Sequence, residues 1–444
     1  MNTPICDFVS GYAAADPVRL HMPGHKGTGA AERLDITEIP GADVLYHPAG
    51  IILESERNAA RLFGARRTVY SAEGSSLSIR AMVYLAAQYA LRRGKAPRIA
   101  AGRNAHKVFI TAAALLDVEV DWLYPAGEGT LLSCEITPGQ LDAFLQGGEP
   151  PAAVYITSPD YLGNMADIWG LAQVCRRFGC LLLVDNAHGA YLNFLPEGEH
   201  PMKCGADLCC DSAHKTLPVL TGGGYLHISE WAPAELYEAA DAAMALFAST
   251  SPSYLILQSL DAANAALDGP WPQKLRRAAA EWSALKGRLE ALGYRLTGRE
   301  PMKLTILTKP YGYTGEELAA ALEAGGIYCE FADPDYLVLM LPADYPPELP
   351  ERLCRALAAI PRRPEITAPA PILKLAQPVL TPHAALFKPA CRVELPAALG
   401  KIMADPTVSC PPAIPVACCG ERIDAWAISA MEYYGITHVR VVEG

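Results

Sequence analysis

The chain has 444 residues, 51% of them hydrophobic, and its 48 acidic and 37 basic side chains give a formal net charge of -11. A chain this long and this apolar buries a large core over roughly two or three domains, which excludes a disordered or fibrous protein. The acidic balance works against broad attraction to nucleic acid or an anionic membrane, and it suits cationic small substrates only weakly.

Residues 1–20 show no basic start followed by an apolar stretch, and no uninterrupted apolar run reaches membrane-spanning length, so a soluble, cytoplasmic protein is expected. The first 40 or so residues are rich in Gly and Pro with little periodicity and read as an arm or irregular cap. Helices are predicted over 53–63 and 77–93. Short apolar runs follow as buried strands at 152–157, 180–184, 206–210 and 224–228, with helical stretches such as 167–178 between them. Alternation of this kind predicts an α/β fold with a mostly parallel sheet covered on both faces.

Beyond Gly269-Pro270-Trp271-Pro272 the pattern changes to a long helix, 274–292, followed by strands at 303–308 and 336–341, which suits a smaller α+β domain. A second proline-rich stretch, 361–371, sets off a C-terminal segment. The expected division is 1–268 for arm and large domain, 269–365 for the small domain and 366–444 for the C-terminal segment. Thirteen cysteines lie scattered, at Cys6, Cys134, Cys175 and Cys180 among others. The adjacent pairs Cys209/Cys210 and Cys418/Cys419 fit no zinc-ligand spacing, and an odd count fits reduced thiols, so neither a metal nor a disulfide framework is expected.

Ligands of α/β sheets gather beyond the carboxyl ends of the strands, and three predicted strand ends here are chemically loaded. Asp185-Asn186-Ala187-His188 follows one, Asp211-Ser212-Ala213-His214-Lys215 another, and Ser158-Pro159-Asp160-Tyr161 a third. A lysine there, preceded by Ser and His and followed by Thr-Leu-Pro and Thr-Gly-Gly-Gly, is placed to form a Schiff base, which needs an amine whose pKa is lowered by desolvation or neighbouring cations. Most lysines are simply solvated charges, and Asp185 is the feature that argues otherwise. A carboxylate beside a pyridine nitrogen keeps it protonated and makes the ring an electron sink. Taken alone, Asp185 reads equally well as a strand-end turn. Residues 71–76, Ser-Ala-Glu-Gly-Ser-Ser, offer small side chains and backbone N–H groups for a phosphate before the predicted helix at 77, although two serines there also make good helix caps. Ser212 and His214 are candidate further donors, and His106 in Arg103-Asn104-Ala105-His106-Lys107 follows another predicted strand.

In this order the blocks resemble the ornithine/lysine/arginine decarboxylase family of fold type I enzymes dependent on pyridoxal 5'-phosphate, particularly its short forms without an N-terminal response-regulator-like wing. The resemblance runs over most of the chain: His21-Met22-Pro23-Gly24-His25-Lys26-Gly27, Asp35-Ile36-Thr37-Glu38, DVLYHPAG from Asp43, RNAHK, TSPDYLG, VDNAHGAYL, SAHKTLPVLTGGGYLH, and TSPSYL from Thr250. It implies an aspartate aminotransferase-like large domain. Lys215 would hold the cofactor, Asp185 would bind the pyridine nitrogen, His106 would stack on the ring, and Ala187 would pack its other face. Gly74, Ser75, Ser76, Ser212 and His214 would hold the phosphate. The resemblance also implies a homodimer or higher homo-oligomer, with the TSPSYL loop and the arm serving the neighbouring subunit.

The chain departs from the family pattern at several places. Glu73 stands where Asn usually precedes the phosphate loop, and Ile79 stands where a second Asn is expected. His383-Ala384-Ala385 replaces Arg-Glu-Ala, and Cys419-Gly420-Glu421 replaces Pro-Gly-Glu. Glu73 is expected to pair with a nearby Arg or face solvent, with contact to a cationic substrate tail as the sharper alternative. The resemblance implies decarboxylation of lysine, ornithine or arginine to the amine, a reaction of polyamine metabolism, with Lys215 or His188 returning a proton to Cα. Transamination, racemisation or elimination on the same apparatus is the nearest alternative, and a cofactor-binding protein with little turnover is another.

Overall fold

The computed structural model describes residues 1–125, 127, 130–406 and 416–443. Short apolar runs bounded by turn residues become strands: β1 (Arg67–Ser71), β2 (Arg98–Gly102), β3 (Glu119–Leu123), β4 (Ala153–Thr157), β5 (Leu181–Asp185), β6 (Leu208–Asp211) and β7 (Gly224–Ile228). They form one seven-stranded sheet in the order β1-β7-β6-β5-β4-β2-β3. Every residue of β5, β6 and β7 is buried, as strands covered on both faces must be.

Strand β5 runs parallel to β4 and β6, whereas β7 runs antiparallel to both β6 and β1. The α/β expectation of a mostly parallel sheet holds, and β7 departs from it for a physical reason. A parallel return needs a crossover long enough to traverse the sheet. The link at 212–223 carries only the four-residue helix Ala213–Thr216, so the chain comes back antiparallel.

By the density of their internal contacts the residues group into two compact units. The first comprises Met1–Ile99, Asp142–Ser158 and Asp167–Pro272. Its helix Ile51–Phe63 buries Ile52, Ala59 and Phe63 at helical spacing. The helix predicted from residue 77 starts earlier, at Gly74, and runs to Leu91.

The second unit comprises Ala100–Leu141, Pro159–Ala166 and Gln273–Gly444. A small sheet of β8 (Arg295–Thr297), β9 (Lys303–Leu307), β10 (Phe331–Ala332) and β11 (Tyr336–Met340) has the order β10-β11-β9-β8 with all neighbours antiparallel. Two further pairs follow, β12 (Gln377–Pro378) with β14 (Glu421–Arg422) and β13 (Ala390–Glu394) with β15 (His438–Val442). One core joins Leu131, Leu162, Phe331, Val338, Ile423 and Met431, so sequence-distant segments share the same burial. The long helix is Trp271–Ala291, and it begins inside the Gly-Pro-Trp-Pro stretch. Proline is tolerated there because the first turn of a helix leaves its N–H groups unused.

A buried ion pair ties β2's exit to the C-terminal segment within this second unit. Arg103 Nη1 and Nη2 donate to Glu421 Oε1 and Oε2 at 2.6 and 2.7 Å, and the guanidinium lies 4.8 Å from the Trp122 ring centroid. Glu421 Oε2 also accepts the Cys418 N–H at 2.7 Å. Removing one partner leaves a buried charge uncompensated. Glu421→Gln is therefore expected to lower unfolding free energy by roughly 3 kcal/mol, read by urea denaturation. A change below about 1 kcal/mol, the scale of an exposed pair, would show that water reaches the pair.

Candidate active site

Asp185 closes β5 level with Thr157 of β4 and Cys210 of β6 and is 2% exposed. Its Oδ2 accepts the Tyr155 hydroxyl at 2.9 Å, and its Oδ1 accepts the Ala187 N–H at 3.2 Å and the Cys210 thiol at 3.5 Å. Burial, and then the Asp185 charge, push the Tyr155 hydroxyl and the Cys210 thiol far up, so both remain protonated donors. The ordinary strand-end turn thus accounts for one carboxylate oxygen only. Among the described residues Asp185 has three neutral donors and no ion pair, an arrangement that leaves the carboxylate open to a cation.

Lys215 lies in the short helix after β6, and its Nζ is 3.0 Å from His188 Nε2. His188 is 6% exposed, while Lys215 is exposed, so burial within the chain alone does not enclose the amine. A buried imidazole instead faces the amine. Such a contact holds one proton between two nitrogens, which suits an amine that exchanges protons as it forms and breaks a bond to carbon.

The capping role open to Ser75 and Ser76 is overturned. The helix starts at Gly74 (φ +67°) with Glu73 in the cap position and no side-chain cap, so both serines sit in its first turn. Ser71 Oγ tightens the turn by accepting the Glu73 N–H and donating to the Gly74 carbonyl. The Gly74 N–H is taken by the Gly222 carbonyl at 2.6 Å, which leaves the first-turn N–H groups of Ser75 and Ser76 as the ones aimed outward along the helix axis.

Ser212 Oγ donates to Ser75 Oγ at 2.7 Å, and His214 Nδ1 lies 2.8 Å from the Gly223 carbonyl. A carbonyl only accepts, so Nδ1 carries hydrogen and Nε2 is the atom left to meet a ligand. A Cβ on Gly74 would sit 3.4 Å from His214 Cε1, so Gly74, Ser75, Ser212 and His214 are gathered around one small space. Gly224 passes beneath the turn: a Cβ there would lie 2.9 Å from both the Asp211 carbonyl oxygen and the Gly74 carbonyl carbon. Only glycine allows that approach.

Other sequence candidates fall elsewhere. His106 belongs to the second unit, where it caps helix Lys107–Leu115 through Nδ1 accepting the Val108 N–H at 3.3 Å. Asp160 accepts both N–H groups of Asn164, at 2.8 and 2.9 Å, so the third loaded strand end is in part a self-closing loop. Glu73 is exposed, as the solvent-facing reading expects, and its Oε1 also accepts the Ser249 N–H at 2.7 Å, beside the TSPSYL segment. Tyr254 of that segment donates to the carbonyl of Asp43 at 2.8 Å, and the Asp43 carboxylate in turn accepts the N–H groups of Ala49, Gly50 and Ile52. Sequence reasoning missed Tyr155, whose only signal is a hydroxyl in an otherwise aliphatic strand.

The donor set and the glycine cradle fit pyridoxal 5'-phosphate: an amine at a strand end, a carboxylate held by neutral donors for a protonated ring nitrogen, and a helix start with backbone N–H and serine hydroxyl groups for a dianion. The sequence model for the major domain of Orn/Lys/Arg decarboxylases matches residues 3–290. Uncharacterized protein YaaO of Bacillus subtilis (strain 168) is 28% identical over 453 residues, covering 95% of this chain and 92% of that protein. Arginine decarboxylase of the same organism is 28% identical over 467 residues, covering 96% and 92%. The solved constitutive lysine decarboxylase of E. coli superposes with a TM-score of 0.78 at 17% identity, over 100% of this chain and 82% of that one. A structure of SPT with PLP superposes with a TM-score of 0.56 at 16% identity, over 69% and 75%. At such identities the solved structures speak for the fold, and they show the α/β fold type I architecture.

Proposed function

This chain belongs to the Orn/Lys/Arg decarboxylase family and is a decarboxylase, and from that premise we propose that it converts a basic L-amino acid, namely lysine, ornithine or arginine, to the corresponding amine with pyridoxal 5'-phosphate carried on Lys215. The observation that carries this reading is the pairing of the Lys215 amine with the buried His188 imidazole, at 3.0 Å, beside a strand end bearing Asp185. When bound, the cofactor supplies an electron sink for the pair released at Cα. The rest is work for this chain's own side chains.

Asp185, oriented by Tyr155 and the Ala187 N–H, holds a proton on the ring nitrogen. Ala187 presents a methyl small enough for a flat ring to lie against it. The Ser75 and Ser76 N–H groups would hold the phosphate, with Gly74 keeping the turn open, Ser212 Oγ orienting Ser75, and His214 joining through Nε2 once that nitrogen carries a second hydrogen. Lys215 and His188 share the proton that returns to Cα. Support for this division of labour is the proton inventory: Tyr155 and Cys210 stay neutral donors, so the one charge they surround is that of Asp185. The same reading gives a division at residues 268 and 365, a cytoplasmic location and a homodimer. Support for a soluble setting is that no described helix is long and apolar enough to cross a membrane.

The test is to load the purified protein with cofactor, offer lysine, ornithine and arginine separately, and identify products by mass spectrometry. One of cadaverine, putrescine or agmatine is expected. A keto acid would replace decarboxylation with transamination, and no product from any of the three would leave a binding protein.

A further inference from the structure

The first unit holds a buried polar cluster that the reaction above does not use. Asp211, the last residue of β6, is fully buried. Its Oδ2 accepts His200 Nε2 at 3.0 Å and His227 Nε2 at 3.1 Å, and its Oδ1 accepts Asn186 Nδ2 at 2.6 Å. The ligand atoms of His200, Cys209 and Asp211 lie within 4.8 Å of one another, which is metal-like clustering.

The protons argue against a metal. His200 Nδ1 accepts the Met202 N–H at 3.3 Å, so its single hydrogen is on Nε2, facing Asp211. His227 Nδ1 lies 2.8 Å from the Thr68 hydroxyl, a group that can give or take a hydrogen, while Nε2 faces the carboxylate and so carries one. A metal would need those Nε2 lone pairs bare. The arrangement is instead a carboxylate receiving three N–H donors.

Burial by itself would raise the Asp211 carboxyl, but His200 and His227 outweigh it and hold the group well below the usual carboxylate range. Burial pushes His227 down against the pull of Asp211, so it donates as a neutral ring. Tyr225 of β7 and Cys209 of β6 are pushed up by burial and then by Asp211, and Cys210 by burial, Asp185 and Asp211, so all three stay neutral. Phe63 packs 5.2 and 4.5 Å from the His200 and His227 rings and closes the cluster with an apolar wall. Of the groups facing Asp211 from β5, β6, β7 and the His200 turn, none among the described residues is a lysine or arginine. With His200 and His227 both neutral, Asp211 has no counter-ion among these groups.

Asn186 connects this charge to the site. A carboxylate only accepts, so the Asn186 amide nitrogen must face it, while the Asn186 backbone N–H donates to the Cys210 carbonyl at 3.0 Å. Held at both ends, Asn186 sits between Asp185 and Ala187 in the chain. We propose that Asp211 is a positioning residue for the cofactor: through Asn186 it fixes Asp185 and Ala187, and, with His200 and His227 both neutral, its charge reinforces Asp185 in keeping the ring nitrogen protonated. This rests on the pyridoxal 5'-phosphate reading.

The experiment is Asp211→Asn, with pyridoxal 5'-phosphate titrated into wild type and variant and followed by absorbance and by thermal melting. Cofactor affinity is expected to fall about tenfold, and the pH midpoint of the visible band of the Lys215-bound cofactor to drop by about one unit. The sign follows because a lost anion destabilises a nearby protonated group. A role in packing alone would lower the melting temperature and leave the midpoint unmoved, which overturns the proposal. Asn186→Ala, which keeps the charge and breaks the link, is expected to weaken binding while holding the midpoint.

If Asp211→Asn does not fold, nitrogen NMR of wild type decides: His200 and His227 must both stay neutral Nε2–H tautomers from pH 6 to 8. An imidazolium at either position would cancel the charge and overturn the proposal. Wild-type protein that takes up no cofactor refutes the reading of the function, and this inference with it, whereas a binding wild type beside an unchanged variant refutes this inference alone.

Discussion

Lys215→Ala will abolish the visible absorbance of the cofactor-loaded protein and lower turnover by about a thousandfold or more, because a covalent attachment has no substitute from a methyl group. The fold should survive, since Lys215 is exposed and its helix is held by backbone bonds from Lys215 and Leu217 to Ser212 and Ala213. The informative measurement pairs an absorbance spectrum with a melting curve: an unchanged band would sink the assignment, while a lost band with an unchanged melting temperature supports it. Added methylamine offers a further check, since an external amine restores part of a function that lies in the amine itself.

Asp185→Asn will lower kcat by on the order of a thousandfold while leaving the protein folded and the cofactor band present. Asparagine keeps the shape and still accepts from Tyr155 Oη, while its Nδ2 replaces the oxygen that accepts the Ala187 N–H and the Cys210 thiol, so it removes the charge and those two bonds. A carboxylate stabilises a protonated ring nitrogen, and an amide does not. Steady-state kinetics on the substrate identified by product analysis, together with a cofactor titration, reads the effect. A fall in affinity with unchanged kcat would mean that Asp185 only binds. The expected split, a large loss in kcat with a modest loss in affinity, marks an interaction made stronger as charge develops in the reaction.

Much of the large sheet was legible because its strands are continuous aliphatic runs ending in polar residues. Asp185 and Lys215 stood out for the same reason: each follows such a run at the end where α/β sheets bind ligands. The direction of β7 was not legible, since antiparallel return depends on the length of the link, and the glycine-rich 212–223 segment shows no helical period to judge it by. The serines at 75 and 76 misled because a good cap and a good first turn have the same composition. What separates them is the positive φ of Gly74, a backbone property that no residue type dictates.

Pairings across long sequence separations were out of reach in the same way. Arg103 and Glu421 lie in motifs that each drew attention, yet their 2.6 Å contact joins residues 318 apart. Glu73 faces solvent as one branch of the sequence reading had it, and it also accepts the N–H of Ser249, a donor invisible in a list of side chains. Tyr155 and Asp211 read as strand residues, and only their neighbours show what their polar atoms do.

The sequence by itself determined the family and with it a decarboxylase, because the motifs that carry the resemblance are local features, written within a few residues of each strand. Tertiary structure alone decided how those groups are protonated and held. Whether Tyr155 donates, whether His200 and His227 are neutral, and where the charge of Asp211 goes depend on burial and on partners brought together from distant segments. Burial sets the cost of a charge and geometry sets which nitrogen bears a hydrogen, and neither is a property of a residue read in isolation.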